Sequence, residues 1–85
     1  MNTESKTIID VRSPQEFQGG HADGAINIPL DRLTNEVGEI KNMRKPIVLC
    51  CASGNRSGMA QVLLHQVGIE SYNAGPWFEA ENFKI

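Results

Sequence analysis

Residues 47–68 read Ile-Val-Leu-Cys-Cys-Ala-Ser-Gly-Asn-Arg-Ser-Gly-Met-Ala-Gln-Val-Leu-Leu-His-Gln-Val-Gly, and the hydrophobic period changes part-way along. Ile47-Val48-Leu49-Cys50 is the most continuously apolar run in the chain, the composition of a central parallel strand covered on both faces. From Ser57 onward, Ala60, Leu63, Leu64 and Val67 recur at i, i+3, i+4 and i+7, one face of a helix, and Gly68 is placed to end it. Between strand and helix lies Cys51-Ala52-Ser53-Gly54-Asn55-Arg56, just past the carboxyl end of the strand, where open parallel sheets place their sites. Counted from Cys50 the stretch is Cys-x5-Arg; counted from Cys51 it is Cys-x4-Arg.

Nearer the N-terminus, Thr7-Ile8-Ile9-Asp10-Val11 reads as a buried strand. Ser13 follows at an N-cap position, with Pro14 first in the helix and Glu16 at capping-box spacing, which predicts a short helix over Pro14–Gln18 stopped by Gly19-Gly20. Ala25-Ile26-Asn27-Ile28 is a second strand closed by Pro29. Leu30, Leu33, Val37 and Ile40 mark the inner face of a helix over about Asp31–Glu39. After the Lys45-Pro46 turn comes the central strand, then the long helix, then a last short strand at Glu70-Ser71-Tyr72-Asn73. Ala74-Gly75-Pro76-Trp77 reads as a turn before an irregular or helical tail. Strands alternating with helices argue an α/β fold with a parallel sheet and right-handed crossovers.

Eighty-five residues, 40% hydrophobic and 21% charged, fit one domain over 1–85 with a single core. At that size only about 60–65% of the unfolded surface is buried, so core substitutions are felt. A net charge of −2 without a long run of one sign gives no field for nucleic acid or an anionic membrane. The start lacks a signal-peptide pattern and no apolar run reaches a bilayer-spanning length, so a cytoplasmic location is expected, or a periplasmic one if the chain is a processed fragment. The two cysteines are sequence neighbours, which is no geometry for a stabilising disulfide, and free thiols fit a reducing compartment.

A nucleophilic thiolate needs its pKa pulled below the free value of about 8.5. Backbone N–H groups of a tight loop, with Gly54 permitting positive φ, can converge on the Cys51 sulfur. The helix beginning near Ser57 adds partial positive charge there, and Arg56 a full one. Such a cradle also holds an anion. Cys50 ends the apolar run and is expected inside the strand with its sulfur packed.

These residues resemble a single-domain rhodanese, whose active loop is Cys-x-x-Gly-x-Arg. A second family stretch is matched by Asp10-Val11-Arg12, Glu16-Phe17, His21 and Gly24-Ala25-Ile26-Asn27-Ile28-Pro29. Many rhodaneses carry an additional strand and helix before the Asp-Val-Arg strand, whereas six residues precede Thr7 here, and in this the chain resembles the minimal, phage-shock type. The resemblance implies a rhodanese-like three-layer α/β fold, with a small parallel sheet of four to five strands and helices on both faces. It implies a thiosulfate sulfurtransferase in which Cys51 carries sulfur from thiosulfate or a persulfide donor to cyanide or a thiol. Ala52, Ser53, Gly54, Asn55 and Arg56 then form the substrate-binding loop, with Asp10, Arg12 and Ser57 in support and no cofactor or metal required. The partners are a small-molecule sulfur donor and a thiophilic acceptor, or a protein in either role.

Two alternatives compete. In one, the domain is a persulfide carrier for a partner protein. In the other, Cys50 is the nucleophile of a Cys-x5-Arg phosphatase or arsenate reductase, whose longer loop makes room for a tetrahedral oxyanion. Of the remaining polar residues, Asp10 and Arg12 are expected to tie the Glu16 helix and the His21 loop to the strand. His21 is a hydrogen-bonded loop residue, His65 and Arg32 are solvated, and Trp77 packs the tail onto the core.

Overall fold

The computed structural model describes residues 6–84. The additional strand considered before Thr7 falls on residues 1–5, outside the described residues. The elements are β1 (Thr7–Asp10), α1 (Pro14–Gln18), β2 (Ile26–Asn27), a 3-10 segment (Leu30–Glu36), α2 (Val37–Lys41), β3 (Ile47–Cys51), α3 (Asn55–Gln66), β4 (Ser71–Pro76) and a 3-10 turn (Trp77–Glu79). The strands form one parallel sheet in the order β2-β1-β3-β4.

β3 is buried along its whole length. Because side chains alternate across a strand, it serves two cores. Leu49 and Cys51 join Ile9, Val11, Leu33, Ile40, Ala60 and Leu64 beneath α2 and α3. Val48 and Cys50 join Ile8, Ala22 and Ala80 on the opposite face, with Trp77 and Phe83 packed against them.

Local signals set the helix starts and stops. Ser13 caps α1 with both halves of the capping box: its hydroxyl accepts from the Glu16 N–H, and Glu16 accepts from the Ser13 N–H. α3 ends in a Schellman turn, with the Gly68 N–H donating to His65, the Ile69 N–H to Leu64, and Gly68 at φ 84°.

Several boundaries differ from expectation. The helix expected over Asp31–Glu39 is a 3-10 segment that becomes α-helical only at Val37. Leu33 and Ile40 still point inward. Val67, expected on the inner face of α3, is 42% exposed because it is the C-cap residue, and the Schellman turn folds Ile69 inward in its place. β4 continues through Ala74-Gly75-Pro76, which were expected to turn. An irregularity skips Ala74, so that Leu49 pairs with Asn73 and Cys50 with Gly75. That extension gives Cys51 a strand partner in Pro76, which makes Cys51 the last residue of β3 rather than the first of the loop.

Asp10 and Arg12 are buried at the carboxyl end of β1 and joined by a fork of hydrogen bonds of 2.8–3.1 Å. Arg12 also donates to the Gly20 carbonyl at 2.6 Å and lies 5.0 Å over the Trp77 ring. The pair ties the loop that carries His21 to the strand, as expected, and also holds the tail through Trp77, while the Glu16 carboxylate is bound by Arg56 instead. Removing one member leaves a buried charge alone, so Arg12→Leu is expected to cost about 3–5 kcal/mol, read as a lower denaturant midpoint. A midpoint equal to that of the parent chain would contradict this role for the pair.

Candidate active site

The connection from β3 to α3 is only Ala52-Ser53-Gly54. To turn so tightly the backbone takes φ 111° at Gly54, the N-cap of α3, and a Cβ there would lie 3.4 Å from the Gly75 Cα. No side chain caps α3 at that position. The first N–H groups of the helix turn to the Cys51 sulfur instead: Gly54 N–H donates at 3.0 Å and Ser57 N–H at 3.4 Å. The Ser57 hydroxyl lies 3.4 Å from the same sulfur.

Burial of the Cys51 thiol opposes ionisation. Hydrogen bonds from the Ser57 hydroxyl and from the N–H groups of Ser57, Gly54 and Ser53 outweigh it, and the pKa falls from 9.0 to about 7. The neighbouring thiol behaves in the opposite way. Burial, then the Asp10 charge, push Cys50 up to about 12. One strand position therefore separates a thiol poised to ionise near neutrality from one that stays protonated.

Of the expected loop residues, Ala52, Ser53 and Asn55 are exposed at the rim, while Ser57 is buried under it. Arg56 is turned toward α1, where its guanidinium makes a fork with Glu16 at 2.8 and 3.0 Å. The hydrogen bond from Arg56, followed by that from the Ser13 N–H, holds the Glu16 carboxyl down at about 2. The donors that lower the Cys51 pKa are thus chiefly the backbone and Ser57, not the Arg56 charge expected from the sequence. Asp10 pairs with Cys50 across the sheet, and the fields of Asp10 and Arg12 act on that thiol. Arg32 is 64% exposed, 3.8 Å from Glu36, and lines a surface cavity of about 550 Å³ with Arg56, Ser13 and Leu30. His21 stacks on Phe17 at 3.7 Å and bonds to its carbonyl.

One residue of the site escaped the sequence reading. The Asn73 side chain accepts from the Ser57 hydroxyl at 2.6 Å and from the Gly75 N–H at 2.9 Å, and donates to the Gly54 carbonyl at 3.1 Å. The signal was present as Asn73-Ala74-Gly75, an asparagine able to bond its own backbone two residues on.

Residues 1–76 match the family described as "Rhodanese-like domain". The chain belongs to the rhodanese-like family. It is 44% identical over 79 residues to the uncharacterized protein YqhL of Bacillus subtilis (strain 168), a match covering 92% of this chain and 62% of the relative. It is 34% identical over 61 residues to the thiosulfate sulfurtransferase PspE of Escherichia coli (strain K12), covering 71% of this chain and 59% of that one. This rhodanese-like chain thus spans about three-fifths of the length of these relatives. Among solved structures it is similar to a rhodanese with anions from E. coli, with a TM-score of 0.78, 32% identity, and 87% of this chain and 89% of that chain covered. Among the described residues, no helix is long and apolar enough to cross a membrane.

Two pH effects follow from these rhodanese-like site geometries. A carboxyl held below its ordinary 4.5 stabilises the fold above that pH and loses the contribution as pH falls toward 2. Glu16→Gln is therefore expected to remove part of the acid destabilisation in that window, measured by thermal melts, and melts that fall in parallel would contradict it. The rate of Cys51 alkylation by iodoacetamide should rise with a midpoint near pH 7. A midpoint at or above the ordinary thiol value would show that the donors do not act on the sulfur.

Proposed function

We propose that this chain is a sulfurtransferase that carries sulfane sulfur as a persulfide on Cys51. The observation that carries this reading is the Cys51 sulfur held by the Gly54 and Ser57 N–H groups at the start of α3, with its pKa brought to about 7. The thiolate attacks the outer sulfur of thiosulfate. A bond forms between Sγ and that sulfur, the bond to the sulfonyl sulfur breaks, and sulfite leaves with the electron pair. Sulfite is stable as an anion, so the step needs no general acid.

The negative charge then sits on the outer sulfur of the persulfide. The N–H groups of Asn55 and Arg56, which helix geometry leaves without an intrahelical carbonyl, are available to hold it. Cyanide or a thiolate attacks this outer sulfur, the bond to Sγ breaks, and the Cys51 thiolate is released. The similarity to PspE, a thiosulfate sulfurtransferase by name, supports thiosulfate as a donor. A protein persulfide offers the same sulfane sulfur, and delivery to or from a partner protein uses the same cradle.

Cys50 does not suit a nucleophile. Its side chain faces the opposite core, away from the start of α3, and its pKa is pushed up to about 12. The Cys-x5-Arg phosphatase and arsenate reductase readings need that thiol in the loop.

Cys51→Ser is expected to abolish both thiosulfate-dependent thiocyanate formation and the one-sulfur mass gain on treatment with thiosulfate. Cys50→Ala should retain both. Activity that survives in Cys51→Ser, or disappears only in Cys50→Ala, would overturn the assignment. Mass gain on Cys51 from a protein persulfide but not from thiosulfate would instead identify a carrier.

A further inference from the structure

The Ser57 hydroxyl has one hydrogen and two neighbours that could receive it. At 2.6 Å from Asn73 Oδ1 it donates there, since the carbonyl oxygen of an amide can only accept. The contact of 3.4 Å with Cys51 must then run the other way, with the thiol S–H donating to the Ser57 oxygen. That is the arrangement of a protonated thiol. A thiolate has no hydrogen to give and attracts one, and the Ser57 hydroxyl can supply it only by leaving Asn73.

We propose that Ser57 is a two-position switch and that Asn73 is the positioning residue that sets it, holding the hydroxyl when the Cys51 sulfur is uncharged and yielding it when the sulfur is a thiolate. Asn73 is built for this. Its Oδ1 keeps the Gly75 N–H when the hydroxyl departs, so no buried acceptor is abandoned. Its Nδ2 is fixed on the Gly54 carbonyl, which stops the amide from turning over and presenting a donor to Ser57. The skipped Ala74 in the β3–β4 pairing brings the asparagine and Gly75 into this relation. This inference rests on Cys51 being the sulfur-carrying thiol. Attack on a donor moves the negative charge from Sγ to the outer sulfur, so the hydroxyl returns to Asn73 in the persulfide. When the acceptor takes that sulfur, the charge comes back to Sγ and the hydroxyl follows it. Asn73 thus opposes the resting thiolate and favours the loaded state.

Among the described residues, the charged and titratable groups whose fields couple to Cys51 are Arg56 of α3, itself paired with Glu16 of α1, and Cys50, its neighbour on the other face of β3. A double-mutant cycle separates their effect from that of Asn73. The readout is the pH midpoint of Cys51 alkylation by iodoacetamide in the full chain, assigned by peptide mass. Ser57→Ala should raise the midpoint. Asn73→Ala should lower it by about half a pH unit where Ser57 is present, the worth of one ordinary hydrogen bond. In the Ser57→Ala background the same substitution should leave it unchanged.

A midpoint that stays or rises in Asn73→Ala, or the same shift in both backgrounds, would overturn the proposal, because a merely structural Asn73 acts on the loop without Ser57. Asn73→Asp keeps the shape and an acceptor for both donors if the alanine variant fails to fold. It should raise the midpoint more with Ser57 present than without, and an equal rise would overturn the proposal. The cycle reads the resting thiol, so its outcome stands apart from whether thiosulfate is a donor.

Discussion

The alternation of side chains along β3 governs both the packing and the chemistry. An extended strand sends neighbours to opposite faces, and β3 is buried on both, so every residue from Ile47 to Cys51 must be small or apolar enough for one of two cores. The same rule separates the two sulfurs. Cys50 is committed to the layer that contains Val48 and Ala80, while Cys51 reaches the layer under α3 beside the start of that helix. The helix then begins on the sulfur, because a glycine at the N-cap leaves the first N–H groups without a side-chain acceptor.

Charge has a more peripheral part than the number of ionic residues near the loop suggests. The Asp10 and Arg12 pair is buried on the Cys50 side, where it anchors loops and the tail. Arg56 and Glu16 are each 38% exposed and bind the start of α1 to the first turn of α3. Dipoles that need no counterion stabilise the Cys51 thiolate: backbone N–H groups and one hydroxyl. An incoming anion at the loop rim would meet an arginine already engaged, so its reception rests more on the helix N-terminus than on a free guanidinium.

The features legible in the sequence were those fixed by local physics. The capping box at Ser13 and Glu16, the helix-ending Gly68, the continuous apolar strand and the loop ahead of α3 each depend on residues within a few positions of one another. Boundaries set by distant partners were not legible. Cys51 belongs to β3 because β4 runs on to Pro76, and nothing near Cys51 announces that. Leu30–Glu36 wound as a 3-10 segment although its apolar spacing suited an α-helix. The direction of Arg56 depended on Glu16, forty positions away, and Asn73 entered the site through a skipped residue in strand pairing. The residue types of the site could be read along the chain, whereas the network connecting them required the tertiary fold.

The two adjacent cysteines carry a further consequence for folding quality. If β3 paired with its neighbours one residue out of register, each of its side chains would change faces, and Cys50 would come to lie beneath the helix where Cys51 now sits. A misassembled chain would still offer a sulfhydryl near the helix entrance and would still hold two free thiols in total. Counting thiols therefore cannot separate the correct assembly from its slipped counterpart. The neighbours can: in the slipped form Leu49 would be forced into the layer shaped for Val48 and Cys50, beside Ala22 and Ala80, which leaves little room for it. Small residues on the far side of the sheet thus guard the identity of the sulfur on the near side.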